Sequence, residues 1–181
     1  MHAKLIPHPS TPVDFIDSFD VLIQRTATSL SLVYSISGCV DQILWPTRTP
    51  PERRDKLWQH TCFELFIRSK RASSYCELNF SPSTCWAAYE FDDYRAGTKN
   101  LAYATPPIDV EREPGRVALR TALDLDALTN HAQDEPRVAI AAVIEDREHR
   151  RSYWALTHPA ATPDFHHPDA FTLAIPSGVS R

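Results

Sequence analysis

The sequence predicts an all-β fold, an antiparallel β-sandwich of the jelly-roll kind, and three observations carry that prediction. Apolar and polar residues alternate in several short runs, the period-two signature of strands packed on one face. Turn chemistry separates the runs, and 15 prolines against 4 glycines make the connections stiff. Periodicity near 3.6 residues is almost absent, which leaves room for one short helical segment near 124–131.

In chain order, a proline-rich lead-in (Pro7, Pro9, Pro12) gives way to Phe15–Arg25, a mixture of apolar and acidic residues. From Ser29 to Val40 serine alternates with Leu, Val and Ile, so Leu30, Leu32, Tyr34 and Ile36 share one side of a strand that Gly38 and Cys39 end or bulge. Three prolines and the charges Glu52-Arg53-Arg54-Asp55-Lys56 make Ile43–Trp58 a long surface loop. Three strands follow in a meander. The first puts Cys62, Glu64 and Phe66 on one face and Phe63, Leu65 and Ile67 on the other. The second sets Tyr75, Glu77 and Asn79 against Cys76, Leu78 and Phe80 and stops at Ser81-Pro82-Ser83, and the third runs from Cys85 to Phe91.

Asp92–Pro107 breaks the pattern at Gly97 and at Pro106-Pro107, with Arg95 just past the third strand. Gly115–Leu123 reads as a strand, and Asp124 to Leu128 as a helical turn or two capped by aspartate. Val138–Ile144 is a nearly continuous apolar run, expected as a strand buried on both sides. Arg147–Arg151 turns the chain into a partner strand at Tyr153–His158, with Trp154, Leu156 and His158 on one face and Tyr153, Ala155 and Thr157 on the other. About eight to ten short strands result, too many for one open sheet and right for a sandwich. At 181 residues and 20.5 kDa, residues 1–181 are expected to make a single domain.

Composition narrows the function. A formal charge of -4 without a long basic run argues against nucleic acid as a partner. No stretch of about eighteen apolar residues suits a membrane span. The N-terminal residues lack the apolar core of a secretory signal, so a cytoplasmic location is expected. The four cysteines, Cys39, Cys62, Cys76 and Cys85, lie in apolar strand patterns and are expected as buried thiols. With Glu64 and Glu77 sharing a face, Cys62 joins them and Cys76 points the other way, so those two thiols are not expected to bridge.

No nucleophile elbow, zinc-protease helix or phosphate loop is present in the sequence, and a non-catalytic protein is expected. Three readings fit Glu64 and Glu77. They suit a glycosidase carboxylate pair, which needs a separation of roughly 5–10 Å. They suit a structural ion pair with Arg95 reaching back over the sheet between two facing carboxylates. With Asn79 and Arg95 they also suit recognition of vicinal hydroxyls, which calls for converging carboxylate, amide and guanidinium groups. Exposure beside an aromatic wall separates the binding reading from the structural one. The His166-His167 pair with Asp164, Asp169 and His158 reads as a loop bonded to its neighbours and not as a metal site, because adjacent histidines on an extended segment diverge.

The pieces Leu57-Trp58, Phe63-Glu64-Leu65-Phe66-Ile67 and Tyr75-Cys76-Glu77-Leu78-Asn79-Phe80-Ser81-Pro82 resemble the family 9 carbohydrate-binding modules and the wider DOMON-like superfamily. So does the closing stretch from Tyr153-Trp154 through Asp164-Phe165-His166-His167 to Phe171, so the resemblance spans most of the chain. It implies a sandwich that binds a small glycan on one sheet between two tryptophans, here Trp58 and Trp154, with Trp86 left to the core. Ligand-binding residues are therefore expected at Trp58, Glu64, Glu77, Asn79, Arg95 and Trp154. The superfamily's other ligand is haem, held by a methionine and a histidine; Met1 is the only methionine, so no cofactor is expected, although two histidines remain a route. A structural or protein-interaction sandwich without a sugar site is the other alternative.

Overall fold

Alternation in sequence becomes two-faced strands in space. In the computed structural model, which describes residues 1–132 and 135–176, the strands are β1 (His2–Lys4), β2 (Ile6–Pro7), β3 (Ile16–Arg25), β4 (Ser29–Gly38), β5 (Cys62–Arg68), β6 (Tyr75–Phe80) and β7 (Trp86–Phe91). They continue as β8 (Lys99–Asn100), β9 (Ile108–Glu113), β10 (Arg116–Asp124), β11 (Arg137–Glu145), β12 (Arg151–Ala155) and β13 (Leu173–Ala174). A single turn of 3-10 helix, Asp126–Leu128, leads into the short helix α1 (Thr129–Ala132). Asp124 accepts the Asp126 N–H at 2.9 Å, the expected aspartate cap.

Two antiparallel sheets form, one in the order β1-β3-β4-β10-β9 and the other β2-β12-β11-β5-β6-β7-β8, with β13 added to β11. Their inner faces bury Phe19, Leu32, Tyr34, Phe63, Leu65, Leu78, Phe80, Ile140 and Trp154. Burying such side chains stabilises the fold by about 1.5–3 kcal/mol each. Phe19 and Tyr34 from the first sheet lie 5.9 and 5.1 Å from the Phe63 ring of the second. The Tyr34 hydroxyl donates to the Glu64 carbonyl at 3.0 Å, so the one polar atom of that buried ring is satisfied across the sandwich.

The larger sheet is packed on its far face as well. There Phe66, Tyr75, Phe91, Ala139, Ala141, Val143 and Ala155 meet Phe165, Ala170 and Phe171 from the segment that follows β12. The Tyr75 and Phe91 rings stack at 4.6 Å with 6° between planes. This second layer is why β5, β6 and β11 are buried nearly throughout instead of half-exposed.

Three local features depart from the alternation pattern or explain it. The strand β9, IDVERE, was hidden by its charges: it is an edge strand with one partner, and its outward side chains meet water or Arg120, which reaches Glu111 at 2.7 Å. The strand β3 carries a register shift between Ile16 and Ser18 opposite Gly38, which has φ +135° and whose missing Cβ would lie 2.4 Å from the Phe15 carbonyl oxygen. Glycine ends β4 there because nothing larger fits. Beyond it alternation stops, and Cys39 is exposed, unlike the buried thiols Cys62, Cys76 and Cys85.

Candidate functional site

The site forms where the far face of the larger sheet is left partly uncovered. Glu64 lies directly opposite Asn79, and Glu77 opposite Phe66, so the two carboxyls are diagonal neighbours on one face and not a facing pair. They line the floor of an open cleft of about 590 Å³, inside the range of roughly 300–1,000 Å³ usual for small-molecule sites. Its walls include Trp58, Tyr89, Phe91, Tyr153 and Phe165, with Arg95, Thr98 and His166 among the polar groups.

The long loop before β5 delivers Trp58. Arg53 pins that loop by donating to the carbonyls of Leu101 at 2.9 Å and of Ala88, with its guanidinium 5.2 Å from the Trp86 ring centre. Asp55 accepts from the Tyr89 hydroxyl at 2.7 Å, tying the loop to the cleft wall. Trp58 is then left 44% exposed on a 3-10 turn, Leu57–Gln59, at the rim.

The opposite wall is the segment after β12. Asp164 accepts from the Tyr94 hydroxyl and from Arg95 Nη2, both at 2.7 Å, and from the backbone N–H of His166 at 3.2 Å. Burial alone would raise the Asp164 pKa, but those bonds outweigh it and hold the carboxyl ionised. Arg95 occupies a left-handed turn position, φ 52°, where its N–H donates to the Tyr75 hydroxyl at 3.2 Å. The same hydroxyl lies 2.7 Å from His166 Nδ1, and His166 Nε2 faces Glu77 Oε2 at 3.6 Å. Burial, and then the Arg95 charge, lower the His166 pKa to about 4, so the ring is neutral at physiological pH.

On the floor, Asn79 Nδ2 donates to Glu77 Oε1 at 2.6 Å, while Asn79 Oδ1 accepts from the Cys62 thiol at 3.6 Å. Asn79 thus sits beneath the cleft and fixes Glu77. Burial pushes the Glu77 pKa up to about 7 against the Asn79 bond and the Arg95 charge, which pull it down. Glu64, 3% exposed, is raised further by burial and by the charge of Glu77. Its Oε1 is buried with no hydrogen-bond partner among the described residues. An unpaired buried acceptor costs about 1–3 kcal/mol, so the fold carries a penalty where the cleft is deepest.

Of the residues expected from the sequence, Trp58, Glu64, Glu77 and Arg95 line the cleft and Asn79 supports it. Trp154 does not reach it. On β12 it pairs with Ala142, which faces the inter-sheet core, and it is 4% exposed, 5.6 Å from Phe19 and bonded through Nε1 to Ser152 at 3.0 Å. Its neighbour Tyr153 supplies the wall instead. Nor does Arg95 lie between the carboxyls: its ion partner is Asp164. Cys62 and Cys76 lie on opposite faces as alternation requires, and both are free thiols. Tyr89, Tyr153, Phe165 and His166 were not anticipated as site residues, although strand parity places Tyr89 with Glu77 and Tyr153 with Ala155 on the cleft face.

The fold is similar to that of a crystal structure from Bacteroides uniformis, provisionally named a carbohydrate-binding protein, with a TM-score of 0.69 and 12% identity over 94% of this chain and 84% of that one. That likeness establishes the fold. A family 9 carbohydrate-binding module from Caldicellulosiruptor kristjanssonii, solved with cellotriose, aligns over 81% of this chain and 68% of its own at a TM-score of 0.46 and 11% identity. No family model and no curated protein matches the sequence.

Proposed function

We propose that the protein is a non-catalytic carbohydrate-binding domain that holds a small glycan in the cleft over Glu64 and Glu77. The observation that carries the reading is the combination on one face: an aromatic-walled cleft lined by two carboxyls, one of which, Glu64, has an oxygen with no partner among the described residues. Aromatic faces suit the apolar face of a pyranose ring, and fixed carboxyls suit its hydroxyls. A purely structural ion pair would be covered and make no cleft; these carboxyls are covered, 3% and 5% exposed, yet they line one. The fold's likeness to a protein provisionally named carbohydrate-binding supports the same reading. A cytoplasmic location fits the four unbridged thiols.

Titration with mono- and disaccharides, followed by tryptophan fluorescence, tests the proposal. A saturable change is expected, because Trp58 is at the rim. Arg95→Ala is expected to weaken binding at least about tenfold by releasing the Asp164 wall, with a stability loss of no more than ~1 kcal/mol for an exposed ion pair. A wild type that binds no sugar in a broad screen refutes the proposal.

A further inference from the structure

The floor of the cleft holds two carboxyls whose charge, once ionised, its surroundings do not fully answer. Glu64 lines the cleft, and its Oε1 is buried with no hydrogen-bond partner among the described residues. Glu77 is held by an amide on Oε1 and faces the neutral His166 imidazole across 3.6 Å on Oε2. Among the described residues no lysine or arginine lies within 4.0 Å of either carboxylate. Arg95 lines the same cleft and draws the Glu77 pKa down, but its ion partner is Asp164 at 2.7 Å. With both glutamates ionised, the space between the aromatic walls therefore carries negative charge that is only partly compensated.

A neutral hydroxyl leaves that imbalance in place, whereas a cation removes it. The fold has already taken both carboxyls out of water, so an arriving cation need not strip their hydration, and the repulsion between them becomes a shared attraction. Walls of Trp58, Tyr89, Phe91, Tyr153 and Phe165 add π-faces, which attract ammonium groups within about 6 Å. We propose that the ligand brings a protonated nitrogen to Glu64 and Glu77 and, resting on the carbohydrate reading above, that it is an amino sugar whose ring lies against the aromatic wall. The raised pKa values of the two glutamates fit this role, since burial without a neighbouring cation disfavours their ionised forms.

Calorimetry on the full chain at matched ionic strength and about pH 7, with glucosamine hydrochloride, glucose, N-acetylglucosamine and tetramethylammonium chloride as probes, tests the assignment. Glucosamine is expected to bind at least about tenfold more tightly than glucose, and N-acetylglucosamine, whose nitrogen is neutral, no more tightly than glucose. Repeating the titration in buffers of different ionisation enthalpy is expected to show proton release with glucosamine and none with glucose. Glu64→Gln and Glu77→Gln are each expected to reduce the glucosamine preference about tenfold. Equal binding of glucose and glucosamine overturns the amine and leaves the sugar reading standing, as does a preference untouched in both glutamine variants. Binding of tetramethylammonium without any sugar supports the cation site and overturns the sugar. No binding of any probe overturns both.

Discussion

Replacing Glu77 by glutamine separates what the fold wants from what the site wants. The carboxyl titrates near 7 in the folded protein, against 4.5 for an unperturbed glutamate, chiefly because it is buried. A pKa raised on folding means that the folded state holds the proton more tightly. The resulting stability is fully present below pH 4.5 and is lost as pH rises through about 7. The interval from 4.5 to about 7 corresponds to ~3 kcal/mol, and because the site relaxes around a buried charge we take ~1–2 kcal/mol as the working magnitude. Glutamine keeps an oxygen for Asn79 Nδ2 and never ionises. Glu77→Gln is therefore expected to match the wild type within ~0.5 kcal/mol at pH 5 and to exceed it by ~1–2 kcal/mol at pH 8. In melting temperature the gain amounts to ~2–8 °C for a domain of this size. Urea denaturation at a series of pH values from 5 to 8 measures the difference directly. A gap between variant and wild type that stays flat with pH, or a variant less stable at pH 8, refutes the claim that burial destabilises the ionised carboxyl.

The two tryptophans singled out by the sequence should behave oppositely. Trp58→Ala is expected to abolish the ligand-induced fluorescence change at a cost below ~1 kcal/mol, while Trp154→Ala is expected to cost ~3–5 kcal/mol in denaturant unfolding; the reverse pattern would mean that the faces of β12 are misassigned. Gly38→Ala forces a Cβ to within 2.4 Å of the Phe15 carbonyl oxygen at φ +135°, so a loss of ~2 kcal/mol or more is expected, and an unchanged denaturation midpoint would show that the bulge relaxes freely.

The sandwich was legible because its strands alternate strictly. Cys62–Arg68 and Tyr75–Phe80 have the faces that parity demands, but parity leaves the register open: Glu64 pairs with Asn79 and not with Glu77 as expected. What escaped is what parity does not encode. An edge strand such as β9 satisfies only one row of backbone groups and turns charges to water, so its sequence, IDVERE, looks like loop. The second packing layer is equally silent, because the residues that build it, Phe165, His166 and Phe171, lie in irregular chain held by contacts that alternation does not announce, among them Asp164 with Tyr94 and Arg95 and His166 with Tyr75.

The site shows the same division. Glu64, Glu77 and Asn79 were found as polar side chains on the strand face that also carries Phe66 and Tyr75, a signal internal to each strand. Their partner on β12 was missed for a reason that strand pairing makes plain. Alternation divides Tyr153 from Trp154 without saying which side of the sheet each takes, and family likeness favoured the larger indole. Pairing decides it: Trp154 opposite Ala142 must face the inter-sheet core, and Tyr153 opposite Val143 must face the cleft. Because β11 also pairs with β5, with Ala141 opposite Glu64, the face of one glutamate fixes the face of every residue from Glu64 across β11 to Tyr153. A carboxyl buried on a sheet is thus informative twice over, since its cost marks a site and its parity, carried across the ladder, names the aromatic residues that surround it.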